Sequence, residues 1–232
     1  MNTIGNRLQL ILATIQSIKT NQKSPQRVQV LAVSKTQAAS VIREAFKVGI
    51  HLFGENYLQE ALEKQSQLTD LAIEWHFIGP IQSNKTQLIS QNFSWVHSLD
   101  RLKIAQRLND ARPIDLDPLN VCIQLNVDSE ESKGGVAIHE VESLAAAIST
   151  MPHLKLRGLM AIPEPSTNVD KQRMQFKKVR GCYDNLLAQG YALDTLSIGM
   201  SEDYPIAIEQ GATIVRIGSA LFGARQPKTA VA

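Results

Sequence analysis

Val28-Gln29-Val30-Leu31-Ala32-Val33-Ser34-Lys35-Thr36 decides how this chain is read. The run is almost unbroken in apolar and β-branched residues, the pattern of a strand buried on both faces in a parallel sheet. It ends on Lys35. A lysine at the mouth of such a strand either snorkels its ammonium to water or takes part in chemistry. What else reaches the same end of the sheet decides between the two.

Outward from this strand, strands and helices alternate. Ile4, Leu8, Ile11, Leu12, Ile15 and Ile18 recur at helical spacing, predicting a leading helix over residues 3–20 with one buried face. The strand at 28–34 is followed by a helix over 40–48, with Gly49 at its C-cap. A short strand at 51–55 leads to a helix ending near 68, and a strand at 75–79 to a helix over 83–90. After the strand at 95–99, Asp100 is the expected N-cap of a helix over 101–108. A strand at 120–127, a loop at 128–135 and a helix over 138–151 come next. The strand at 154–162 precedes a Pro-, Ser- and Asn-rich loop, 163–168, and a long helix to 187 that stops at Gly190. Strands at 195–200 and 213–217 complete the series.

Eight strand candidates separated by helices argue for a parallel α/β sheet. The expectation is one domain over residues 1–232, a closed (β/α)8 TIM barrel with an extra N-terminal helix. An open doubly wound sheet is disfavoured, because no G-x-G-x-x-G follows the first strand.

Composition narrows the class further. With 44% hydrophobic and 20% charged residues and a net charge of +2, the chain shows no basic run suited to nucleic acid. No apolar stretch reaches membrane-spanning length, and the first residues lack a secretion-signal pattern. Cys122 and Cys182 form neither a CxxC nor a disulfide framework and read as buried thiols. The expected location is cytoplasmic.

In a barrel the residues just past each strand face the active-site mouth. Those residues are Lys35, Asn56, Gly79, Asn126, Met160, Ser201 and Gly218. Barrels often bind phosphate with the loops after strands seven and eight, where backbone N–H groups point at the anion. Gly218 allows close approach there, and Ser201 and Ser219 add hydroxyls; two ordinary small-residue turns are the plainer alternative. Glu202 and Asp203 oppose an anion unless they turn outward. Arg216 shares the face of Gly218, and its guanidinium requires either a carboxylate partner or a ligand atom. A lysine, an arginine and an anion site on one mouth match the needs of pyridoxal phosphate (PLP). His51, His76 and His97 lack metal-ligand spacing and read as core or rim residues, and 131–135 lacks the Walker spacing.

At these residues the chain resembles the pyridoxal-phosphate homeostasis protein family, also called proline synthase co-transcribed homologues. The matching stretches are 32–36, 53–57, 76–79 with 82–85, 131–134, 158–160, 199–203 and 216–218. The resemblance implies a fold-type III barrel like the N-terminal domain of bacterial alanine racemase. It implies an aldimine at Lys35, Arg216 beside the pyridine nitrogen, and phosphate contacts from Ser201, Gly218 and Ser219. Asn56 and Met200 carry over as residues lining the cofactor.

Racemisation needs a second acid/base on the opposite face of the cofactor, and the expectation is that past the turn after the last strand only a short tail, 224–232, remains. An arginine beside the pyridine nitrogen also weakens the ring as an electron sink. The expectation is therefore a monomer that binds PLP, buffers it and passes it to PLP-dependent apoenzymes without efficient catalysis. The alternative is a small racemase or lyase completed by oligomerisation.

Overall fold

Eight parallel strands close on themselves in chain order. They are β1 (Gln29–Val33), β2 (Leu52–Glu55), β3 (Glu74–Phe77), β4 (Trp95–Leu99), β5 (Leu119–Leu125), β6 (Leu154–Ala161), β7 (Thr195–Met200) and β8 (Ile214–Ile217). The computed structural model describes residues 3–23, 26–128 and 134–223. The expected segment 131–133 and the tail 224–232 lie outside them. The barrel closes where β1 pairs with β8, Leu31 opposite Arg216, while β1 pairs on its other side with β2, Val33 opposite Gly54.

Around the strands lie α1 (Ile4–Gln22), α2 (Ala39–Lys47), α3 (Leu58–Gln67), α4 (Thr86–Asn92), α5 (Leu102–Ala111), α6 (Val141–Ser149), α7 (Val169–Ala188), α8 (Tyr204–Glu209) and α9 (Ser219–Phe222). Strand alternation sorts side chains into two cores. Ala32, Phe53, Phe77, Val96, Ile123, Leu159 and Val215 belong to the layer shared with the helices. Leu31, Ile78 and Ile214 form one small cluster on the opposite face of the strands, and Trp95, Cys122 and Met160 form another. The leading helix packs Leu8, Ile11 and Ile15 into the outer layer, as its spacing predicts. No helix among the described residues is long and apolar enough to cross a membrane.

Local chemistry sets the element ends. Gly49 adopts φ +98° just past α2, the left-handed geometry expected of a helix stop. Asp100, by contrast, does not cap α5. The cap is Arg101, with no side-chain capping bond, because the Asp100 carboxylate accepts from Arg101 Nη1 at 2.6 Å and 2.7 Å.

Candidate functional site

Lys35 sits in the turn after β1, and a buried polar cluster fixes the chain on both sides of it. Ser34 Oγ donates to Glu55 Oε1 at 2.6 Å. Lys64 Nζ, on α3, donates to Ser34 O at 2.8 Å, to Glu55 Oε1 at 2.7 Å and to Glu60 Oε1 at 2.5 Å. The Thr36 N–H donates to the same Glu60 oxygen at 2.5 Å. That bond holds Thr36 at φ +68°, a left-handed conformation that disfavours a β-branched residue by roughly 1–2 kcal/mol. Burial pushes the Glu55 carboxyl above its ordinary range, against the lowering charge of Lys64. Sequence reading missed this cluster, although a signal exists. Leu58, Ala61 and Lys64 recur at helical spacing on one buried face of α3, which points the lysine inward.

Asn56 follows β2. A Cβ on Gly79 would lie 2.0 Å from the Asn56 backbone oxygen, so glycine is what lets the exit of β3 run against it. Asn56 Oδ1 is buried without a hydrogen-bond partner among the described residues. Such an acceptor destabilises a protein until a donor reaches it.

Across the mouth, β7 ends in a turn that Asp203 ties together: its Oδ1 accepts from the Met200 N–H at 2.6 Å. Of the two carboxylates expected to oppose an anion, Asp203 is thereby engaged, with burial raising its pKa, whereas Glu202 also lines the cavity rather than turning away from it. Ser201 Oγ accepts from the N–H groups of Gly218 at 3.3 Å and Ala220 at 3.2 Å, so two backbone donors converge there. Gly218 has a negative φ of −108°. A Cβ there would meet Val33 at 3.7 Å, an ordinary contact.

Arg216 is 3% exposed. The expected choice between a carboxylate and a ligand resolves differently, because its bonds go to neutral oxygens. Nη1 donates to Ser197 O at 2.5 Å and Ser197 Oγ at 2.9 Å, and Nη2 to Ala161 O at 2.9 Å. Burial pulls the guanidinium down to about 10, with the charge of Asp203 acting against that shift.

Lys35, Asn56, Met200, Ser201, Arg216, Gly218 and Ser219 all line one cavity of about 360 Å³. Val33 and Ile78 contribute apolar surface, and Ile162, Pro163, Pro165 and Gln172 reach it from beyond β6. The last four were not anticipated. The expected mouth residue Met160 instead packs with Trp95 and Cys122, because β6 runs on to Ala161. Asn126 donates its N–H to Val136 O at 2.9 Å and stays out of the lining, as does Gly79. His51 is an exposed rim residue set edge-on to Phe46, whereas His76 and His97 are buried.

The cavity thus joins a lysine amine, a buried guanidinium, hydroxyls and convergent backbone donors. That set suits an anionic ligand that also carries a carbonyl carbon. A model of the family described as alanine racemase, N-terminal domain, matches residues 7–226. Over 226 residues the chain is 53% identical to the pyridoxal phosphate homeostasis protein of Pseudomonas aeruginosa, with 97% of each covered. The chain belongs to the pyridoxal phosphate homeostasis protein family. Its identity to the Escherichia coli protein of that name is 46% over 229 residues, covering 97% of this chain and 98% of that one. Among solved structures, PipY of Synechococcus elongatus with PLP bound is similar at a TM-score of 0.79 and 34% identity. That match covers 90% of this chain and 100% of PipY. Several of the stretches matching the homeostasis family reach the cavity: 32–36, 53–57, 199–203 and 216–218. Gly79, from 76–79, supports Asn56 from behind.

Proposed function

We propose that this protein binds pyridoxal 5'-phosphate in the mouth cavity, buffers it and passes it to PLP-dependent apoenzymes, with no efficient turnover of its own. The observation that carries this reading is the convergence of Lys35, Arg216 and the Ser201–Gly218–Ser219 donors on one cavity. The names of the relatives and the PLP bound by PipY support the choice of ligand.

Each residue then has a role. Lys35 Nζ would hold the cofactor at its aldehyde carbon, by a condensation that releases water. The hydroxyls of Ser201 and Ser219, with the nearby backbone N–H groups, hold the phosphate, since charge-assisted bonds of this kind are the strong ones. Arg216, fixed by three hydrogen bonds, would offer a donor to the ring nitrogen, and Asn56 and Met200 would line the ring. When bound, the cofactor supplies an aldehyde that exchanges between amines. The buried Asn56 Oδ1, which lacks a partner among the described residues, fits a site that a ligand completes.

The carrier reading draws on Arg216. A guanidinium donating to the ring nitrogen keeps that nitrogen unprotonated and limits carbanion stabilisation. Free Cys122 and Cys182 support a reducing, cytoplasmic location.

Titration of the purified protein with PLP tests the reading. A near-visible absorption band is expected, and excess apoenzyme added to the loaded protein is expected to gain activity. Absence of the band overturns the proposal.

A further inference from the structure

Five side chains from four strands form a continuous hydrogen-bonded line through the barrel. Glu74 Oε1 lies 2.9 Å from His76 Nε2, and His76 Nδ1 lies 2.8 Å from His97 Nε2. His97 Nδ1 lies 2.8 Å from Ser197 Oγ, which also accepts from Arg216 Nη1 at 2.9 Å. Glu74 is the first residue of β3, and its side chain is 45% exposed. Arg216 sits near the opposite end of β8 and lines the cavity. The line therefore joins solvent at one face of the barrel to the ligand site at the other.

The ends fix where its protons lie. An ionised carboxylate only accepts and a guanidinium only donates. With neutral rings, His76 donates from Nε2 to Glu74, which leaves its Nδ1 to accept from His97 Nε2. His97 Nδ1 then accepts the Ser197 hydroxyl proton. That proton is thereby turned away from Arg216, and the oxygen lone pairs are left for the guanidinium. One proton order satisfies every member, and Glu74 anchors it.

The surroundings keep the rings neutral. Trp95 stacks on His76 at 5.3 Å, and Arg157, paired with Asp194, lies over Trp95. Cys122 packs beside Trp95, while Arg216 and Asp203 stand on the cavity side. Among the described residues, Glu74 is the carboxylate hydrogen-bonded to either ring. Burial lowers the pKa of both histidines, and the charge of Arg216 lowers His97 further.

We propose that Glu74 is a remote positioning residue for the cavity: through His76, His97 and Ser197 it fixes the proton order that holds the Arg216 guanidinium in place. Its consequence for a ligand rests on the PLP reading above; the proton order does not.

Nitrogen-15 NMR of the histidine rings and arginine side chains tests this on the full chain, in wild type, Glu74→Ala and Glu74→Gln. In wild type both buried rings are expected as Nε2–H tautomers that stay unprotonated at neutral pH, where an ordinary histidine begins to titrate. Glu74→Ala should mix the His97 tautomers, let the Arg216 Nη signals average, and weaken PLP binding roughly tenfold, a single-bond-sized effect. Glu74→Gln keeps an oxygen to accept from His76 and should stay within about twofold of wild type. An Nδ1–H tautomer at His97, a ring titrating near neutral pH, or Arg216 signals unchanged in Glu74→Ala overturns the proposal. If wild type takes up no PLP, the functional reading fails, and the NMR measurements alone decide the positioning role.

Discussion

Lys64 Nζ lies 2.7 Å from Glu55 Oε1 in an ion pair buried beneath the turn that carries Lys35. Removing one partner of such a pair strands the other charge and costs about 3–5 kcal/mol. Lys64→Met is therefore expected to lower stability by roughly that amount at pH 8. Glu55 already has a folded-state pKa above its ordinary value, because burial outweighs the pull of Lys64. A carboxyl shifted in that direction favours the folded state when protonated, and that contribution is lost as pH rises through the folded pKa. Without Lys64 the shift grows, so the deficit of the variant against wild type should narrow from pH 8 to pH 5. Urea unfolding at both pH values reads this directly, and a deficit that widens on acidification contradicts it.

Gly218 separates the needs of the fold from those of the ligand. A Cβ there meets Val33 at 3.7 Å, so Gly218→Ala should leave the thermal midpoint nearly unchanged. The added methyl stands beside the cavity lining and should reduce PLP retention after dialysis. Gly218→Asp adds a negative charge and should abolish retention. Equal PLP occupancy in wild type and Gly218→Asp would place the phosphate elsewhere.

Much of this architecture is legible in the sequence, because each strand is a short apolar run and each helix carries one apolar face. Gly49 announced its helix stop through the left-handed geometry that glycine accepts. Asp100 misled because its carboxylate had two possible partners, the helix N-terminus or Arg101, and only the fold selects between them. Lys35 and Arg216 were readable as cavity residues from their strand positions. Their supports were not, since Lys64 reaches Ser34, beside Lys35, and Ser197 and the Ala161 carbonyl reach Arg216 from other elements. Sequence spacing carries no register between β7 and β8, and the partner of a buried guanidinium follows from register.

The carrier reading makes a kinetic prediction. With Arg216 keeping the ring nitrogen unprotonated, α-proton exchange of alanine or serine should run near the rate given by free PLP. Deuterium washout followed by NMR measures this. An acceleration of about a millionfold, the low end for enzymes, would establish a racemase or lyase instead.

Covalent capture at Lys35 is the most direct test of the whole account. The protein is equilibrated with PLP, dialysed, reduced with borohydride, digested, and the labelled peptide sequenced by mass spectrometry. The account predicts one stoichiometric label, on Lys35, and its loss together with the near-visible band in Lys35→Ala. A label on Lys85 or Lys133, or no label on a protein that retains PLP, would contradict it.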